Sequence, residues 1–424
     1  MNVVIKFVKS IFRFSHSVPV EHRKNFWNLY LDIGWYGVLN GTTIAFLSIY
    51  AARMGASAGQ LGLISAAPAI ISLFVALPAG AWLKVQSTRK AVVWSTISFR
   101  VFYLLIILLP ILNGLISSRL QVGMITGIIF LMSIPGTALS ISFNAFFGET
   151  VPQEWRGSVL GIRNAIFAIV TTLSALLAGW LLNSVIFPYG YAYVFGLGFL
   201  GAVMSSVHLF SIHPPLNQEN ATNRQEPKLL KQIFLTLKHQ LRPNIFEGPF
   251  RTTIILLFLF HLAQYLPIPI FPIYSVNVLK LNDQVISLGT AIFNLALFLG
   301  STQFSRLIRR FRSPVMTGAG MMILAIFPVL LAISRGAPMY LLAHVIGGLG
   351  WSICASSIYT YLYESIPDQD KSIHLAWFNL GSNAAILLGS LIGPLIGELI
   401  GLQPVLFLYA IIRAAVGYTI ARKG

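Results

Sequence analysis

The chain has 424 residues, 56% of them hydrophobic and only 10% charged, with a mean hydropathy of +0.77. Charge this sparse cannot cover a water-facing surface, which excludes a soluble globular protein and leaves lipid as the main solvent. The net charge of +17 sits between apolar runs and not in a basic patch interleaved with aromatics, which argues against nucleic-acid binding.

In chain order, residues 1–25 form a basic segment without a signal-peptide cleavage site. Lys6, Lys9, Arg13 and His16 fall near one helical face, so the segment reads either as a helix on the inner membrane surface or as a loose basic arm. Apolar runs of membrane-crossing length then predict twelve helices: 26–52, 58–83, 91–113, 121–147, 159–185, 189–211, 251–278, 284–304, 315–334, 338–363, 374–400 and 403–421. The stretch 212–250 interrupts them as a polar linker. Within it "KLLKQIFLTLKHQL" is too short and too charged to span and reads as a second surface helix.

Sorting the 29 basic residues over this topology puts 23 on the side of both termini. Four lie on the other side (Arg53, Arg119, Lys280, Arg335), and Arg100 and Arg413 fall inside spans. Basic residues stay on the cytoplasmic side, so both termini are expected in the cytoplasm and the chain in the plasma membrane. Cys354 is alone in an apolar run, so no internal disulfide can form. No metal-ligand spacing or phosphate-cradling loop is present, and no cofactor is expected.

"GETVPQEWRGSVLG" (148–161) and "YESIPDQDKSIHLA" (363–376) stand out in this apolar text. An offset of 215 residues lays Glu149 on Glu364, Pro152 on Pro367, Arg156 on Lys371 and Asn164 on Asn379. An offset of 224 lays Tyr50 on Tyr274 and Gln60 on Gln284. The same order on the same face predicts an internal duplication, with a half at 26–211 and another at 251–424.

With these motifs the chain resembles the major facilitator superfamily. "ETVPQEWRG" fits that family's loop after helix 4. "GAWLKVQSTRK" keeps Gly80, Arg89 and Lys90 of its loop after helix 2 but has Lys84 where an Asp is usual, and Met132 replaces the helix-4 arginine of many antiporters. The resemblance implies an all-α integral membrane fold of two pseudo-symmetric six-helix bundles. It further implies a monomeric secondary transporter of a small solute, working by alternating access, with protons as a candidate coupling ion and no enzymatic activity. A fold-bearing sensor that has lost transport and a multi-span membrane enzyme are the competing classes.

Charges within a bilayer cost roughly 2.5–3.5 kcal/mol on insertion scales, so each needs a reason. Asp32 lies eight residues after Lys24 and Arg100 ten after Lys90, about 12–15 Å from their basic boundaries. An ion pair between them fits, either as a structural tether or with Asp32 as a coupling carboxylate. Arg413 reads as snorkelling to the interface. The path that the resemblance implies, along helices 1, 4, 7 and 10, offers Trp35, Asn40, Thr43, Ser140, Asn144, Gln264, Tyr265, Ser356 and Tyr359. Glu149, Arg156, Arg89, Lys90, Glu364, Lys371 and Arg309 are candidates for cytoplasmic latches. Pro267, Pro269 and Pro272 predict a bend in helix 7.

Overall fold

The computed structural model describes residues 19–213, 248–303, 308, 310–367 and 371–424. The basic arm, the expected linker helix and Arg309 lie outside these residues. The described chain is helical. The helices are α1 (residues 20–53), α2 (Ala58–Val85), α3 (Thr88–Ile111), α4 (Ser118–Thr150), α5 (Gln153–Ser184) and α6 (Tyr189–Phe210), then α7 (Pro249–Val278), α8 (Asp283–Ser301), α9 (Ser313–Ile333), α10 (Ala337–Ser365), α11 (Lys371–Ile400) and α12 (Leu402–Lys423). Eleven are long and apolar enough to cross a membrane. The twelfth, α1, reaches that length across a π-helical turn at Asn40–Ile44. The chain is thus a multi-pass membrane protein.

Several helices start where a side chain satisfies an orphan amide. Ser57 and Gln60 form a capping box at α2, and Asn282 accepts from Val285 N at 2.9 Å at α8. α4, α5 and α11 extend several residues beyond the apolar windows on the side of the chain ends, because a helix continues into water after its hydropathy has fallen.

The two halves pack alike. In each, the first helix lies on the fifth and sixth, the second on the fourth, and the third on the fourth and sixth. Between halves, α2 packs on α11 and α5 on α8. Both contacts close on glycine near the face opposite the chain ends. A Cβ at Gly62 would stand 2.5 Å from Ser390 O, and one at Gly179 would overlap Ser287 Oγ.

The apolar core divides by depth. Near the opposite face a single cluster joins both halves, with Phe46, Tyr50 and Leu61 of one meeting Leu266, Ile270 and Tyr274 of the other. Near the terminal face there are two separate clusters. One is built from Phe26, Leu29, Phe146 and Val159, the other from Phe250, Leu257, Leu362 and Phe378. The halves are welded at one face and apart at the other.

α7 breaks over residues 266–269 after Pro249–Tyr265 and resumes with Ile270–Ile273 and a π turn at Tyr274–Val278. Under the 224-residue offset the π turn of α1 at Asn40–Ile44 falls on 264–268, at the α7 break. Both leading helices are therefore irregular at the same depth.

Candidate functional site

A cavity of about 910 Å³ lies between the halves on the terminal side of the shared core. α2, α4 and α11 form most of its wall, with additions from α1, α3, α7 and α10. Four of the expected path residues face it: Ser140 and Asn144 on α4, Tyr265 on α7 and Tyr359 on α10. Ser140 and Asn144 are one turn apart and so share a helix face. Asn144 and Tyr359 are related by the 215-residue offset, so the duplication presents the same position from each half.

Trp35, Asn40, Thr43, Gln264 and Ser356 do not line the cavity. The Thr43 side chain is buried against Gly198 of α6. Trp35 packs its carbonyl near Gly201, and Asn40 opens the π turn. Gln264 turns its backbone carbonyl to Arg413, and Ser356 donates to Ser352 O of its own helix at 3.1 Å. The sequence reading missed α2 and α11, which contribute Ser65, Ser72, Asn379 and Asn383. The i, i+4 spacing of Asn379 and Asn383 in an apolar helix was the available signal.

Beside the cavity, the N-terminal half holds a buried ion cluster. The expected Asp32–Arg100 contact exists, at 3.9 Å, but it is the weaker one. Arg163 of α5 places both terminal nitrogens 3.3 Å from Asp32 Oδ2, donates to Leu29 O at 2.6 Å and lies over the Phe143 ring. Ser205 of α6 donates to Asp32 Oδ1 at 2.5 Å while accepting from Arg100 at 2.8 Å. Arg100 also donates to Ala202 O and Ser206. One carboxylate thus joins α1, α3, α5 and α6. By sequence Arg163 counts, with Arg156, among the 23 basic residues of the terminal side; the structure corrects this, since it is 5% exposed. Counting from the helix start at Gln153 gives ten residues, about 15 Å, the depth argument that found Asp32.

Among the described residues of the C-terminal half, one arginine is buried without a carboxylate. Arg413 does not snorkel. It is 1% exposed and donates to Ala263 O at 3.3 Å, Leu324 O at 3.1 Å and Gln264 O at 2.8 Å. Two of these carbonyls are freed by proline. The residue four after Ala263 is Pro267 and the residue four after Leu324 is Pro328, and neither has an N–H to give. The break in α7 frees Gln264 O in the same way. A guanidinium with donors spread over one plane suits three such acceptors. His261 and His344 each donate Nδ1–H to the carbonyl one turn earlier, at 2.8 Å, and do not face the cavity.

At the opposite face Arg53, at the end of α1, reaches across the halves. Its Nε donates to Asp283 Oδ1 at 2.7 Å and a terminal nitrogen to Leu281 O at 2.8 Å. Tyr191 of α6 donates to the same carboxylate oxygen at 2.9 Å. From sequence Arg53 reads only as a cation of the opposite face, because nothing local says that the start of α8 lies beside it.

At the terminal face, Glu149 accepts from Thr88, the first residue of α3, and Glu364 accepts from Ser313, the first residue of α9. Each glutamate ties the end of the fourth helix of its half to the start of the third. Arg156 donates to Val151 O and Gly148 O, closing the end of α4. Arg89 donates to Phe210 O and contacts His213 after α6. Lys90 and Lys371 are exposed in the first turns of α3 and α11.

Two similar six-helix bundles around a shared cavity, with no metal-ligand cluster among the described residues, have the architecture of a membrane transporter. The chain belongs to the Major Facilitator Superfamily, whose sequence profile matches residues 34–285 and 253–421. It is accordingly a non-enzymatic transporter. Among curated proteins none matches this sequence. Similar solved structures include the nucleoside transporter NupG at 12% identity, over 93% of this chain and 98% of that one, with a TM-score of 0.66. A D-xylose–proton symporter shares 14% identity over 94% and 96% of the two chains, with a TM-score of 0.69. The xylose transporter XylE from E. coli, in a partially occluded inward open conformation, shares 14% over 93% and 96%, with a TM-score of 0.66. At these identities the likeness is one of fold.

Proposed function

We propose that the chain carries a small solute across the plasma membrane by alternating access, with both termini in the cytoplasm and the present state facing inward. The division of the core carries this reading: one cluster spans both halves at the opposite face, and two separate clusters flank the cavity at the terminal face. Rocking about the cavity would break the shared cluster and join the separate ones, which gives the bistable packing that a two-state carrier needs. Arg53, Asp283 and Tyr191 then form the outer lock of the inward-facing state, since opening that face must pull Arg53 off Asp283. With Arg163 removed from the 23 basic residues of the terminal side, the 22-to-4 distribution supports the orientation. Asp32, whose oxygens are taken by Arg163, Arg100 and Ser205, fits a structural tether better than a proton carrier. A monomer is the working unit in this reading.

The test places spin labels at Glu154→Cys and Lys371→Cys, exposed at the terminal ends of α5 and α11, in a Cys354→Ala background. Arg53→Ala is expected to move the distance distribution toward shorter values as the outer lock fails and the inner face closes. Exchanging the charges, Arg53→Asp with Asp283→Arg, should move it back. A distribution unmoved by either change would remove the lock and the rocking reading with it.

A further inference from the structure

The cavity joins many unspent hydrogen-bonding groups to a wall that is uncharged among the described residues. Among the described residues that line it there is no Asp, Glu, Lys, Arg or His. The nearby ions are committed elsewhere: Asp32 to Arg163 and Ser205, Arg100 to α6, and Arg413 to three carbonyls. A charged solute would exchange water for an apolar, low-dielectric wall without an opposite charge to receive it, and that exchange is strongly unfavourable.

The polar wall is of a different kind. Ser133 and Thr137 spend their hydroxyls on carbonyls of their own helix. Ser140, Asn144, Tyr265 and Tyr359 make no side-chain hydrogen bond to another described residue and are free to receive a ligand. Asn144 offers both a donor and an acceptor, and the tyrosine hydroxyls offer both as well. Ser48, Ser65, Ser72, Asn379 and Asn383 add further neutral polar groups, and the rest of the surface is apolar, with Phe99, Met132 and Leu380 among it. The volume lies in the range of about 300–1,000 Å³ that holds drug-sized ligands.

We infer that the cavity takes an uncharged solute with one apolar or aromatic face and one edge of hydroxyl or amide groups, read by Ser140 and Asn144 on α4 and by Tyr359 on α10. This inference rests on the transporter reading for its meaning, but its ligand chemistry stands on the wall alone.

One scaffold in three charge states tests it: phenyl glucoside (neutral), phenyl glucuronide (anionic) and phenyl glucosaminide (cationic). Thermal stabilisation of the purified protein is measured against the concentration of each. The neutral compound should act at a concentration about tenfold lower than either charged one. Asn144→Asp should turn the preference toward the glucosaminide and Asn144→Lys toward the glucuronide, with the unliganded melting temperature reporting that each variant folds. The inference is overturned if a charged compound stabilises the unmodified protein as well as the glucoside, or if the glucoside gives no shift. A glucoside that binds but is not exchanged by proteoliposomes would remove the transporter reading and leave the cavity chemistry standing. A transported glucuronide would do the reverse.

Discussion

The N-terminal half buries a carboxylate between two arginines, whereas the C-terminal half buries one arginine among backbone carbonyls. Both arrangements hold the first, third and sixth helices of their half together. In the N-terminal half α1 is a regular helix around Asp32, so most of its carbonyls are spent, and the cations need an acid. In the C-terminal half Pro267 and Pro328 leave carbonyls that no helix donor can reach, and Arg413 uses them. The same packing problem is solved once by ion pairing and once by proline, which fits a duplication whose copies have diverged. The N-terminal cluster also keeps a surplus positive charge, one carboxylate against two guanidiniums, and is the more exacting of the two.

That contrast can be broken from either side. Asp32→Asn leaves Arg100 and Arg163 buried without a carboxylate and should have the largest effect, about 3–5 kcal/mol of stability. Thermal unfolding in detergent measures it. If Asp32 is a tether, the surviving protein keeps the pH profile of its uptake, whereas a lost proton dependence with intact stability would restore the coupling role.

Arg413→Met should cost less, about 1–3 kcal/mol, because it strands acceptors but also removes a buried charge. The sharper measurement is a double-mutant cycle. Pro267→Ala or Pro328→Ala returns a helix donor to Ala263 O or Leu324 O and should recover part of the loss in the Arg413→Met background. Strict additivity would show that the freed carbonyls are not what Arg413 serves.

The smallest effects should come from the terminal ties. Glu149→Gln and Glu364→Gln each weaken one hydrogen bond to a helix-start hydroxyl, for about 0.5–1.5 kcal/mol. The two should match within error, since here the halves are built alike. A marked difference between them would mean that one tie has a further load, such as a contact made only in the other conformation.

The twelve spans and their grouping were legible because each follows from local rules: a run long enough to cross lipid, a cap, or a polar break between apolar runs. The depths of Asp32, Arg100 and Arg413 were legible by counting turns, but their partners were not. Arg163 looked like an inner-face residue because it follows Arg156 so closely, and only the helix start at Gln153 shows that it lies two to three turns inside. Of the path residues, Ser140, Asn144, Tyr265 and Tyr359 face the cavity. Thr43 and Gln264 turn away, since polar residues on one helix point to every side and rotation about the helix axis is fixed by neighbours.

By itself the sequence determined the solvent, the number of crossings and the repeat, because bilayer thickness and backbone hydrogen bonding leave a chain of this composition no other solution. Tertiary structure alone decided which face is closed, that Arg53 meets Asp283 across a sequence gap of 230 residues, and that α2 and α11 complete the cavity wall. Those choices depend on how two bundles dock, and docking is set by surface shape and close glycine contacts, which leave no periodic mark along a single helix.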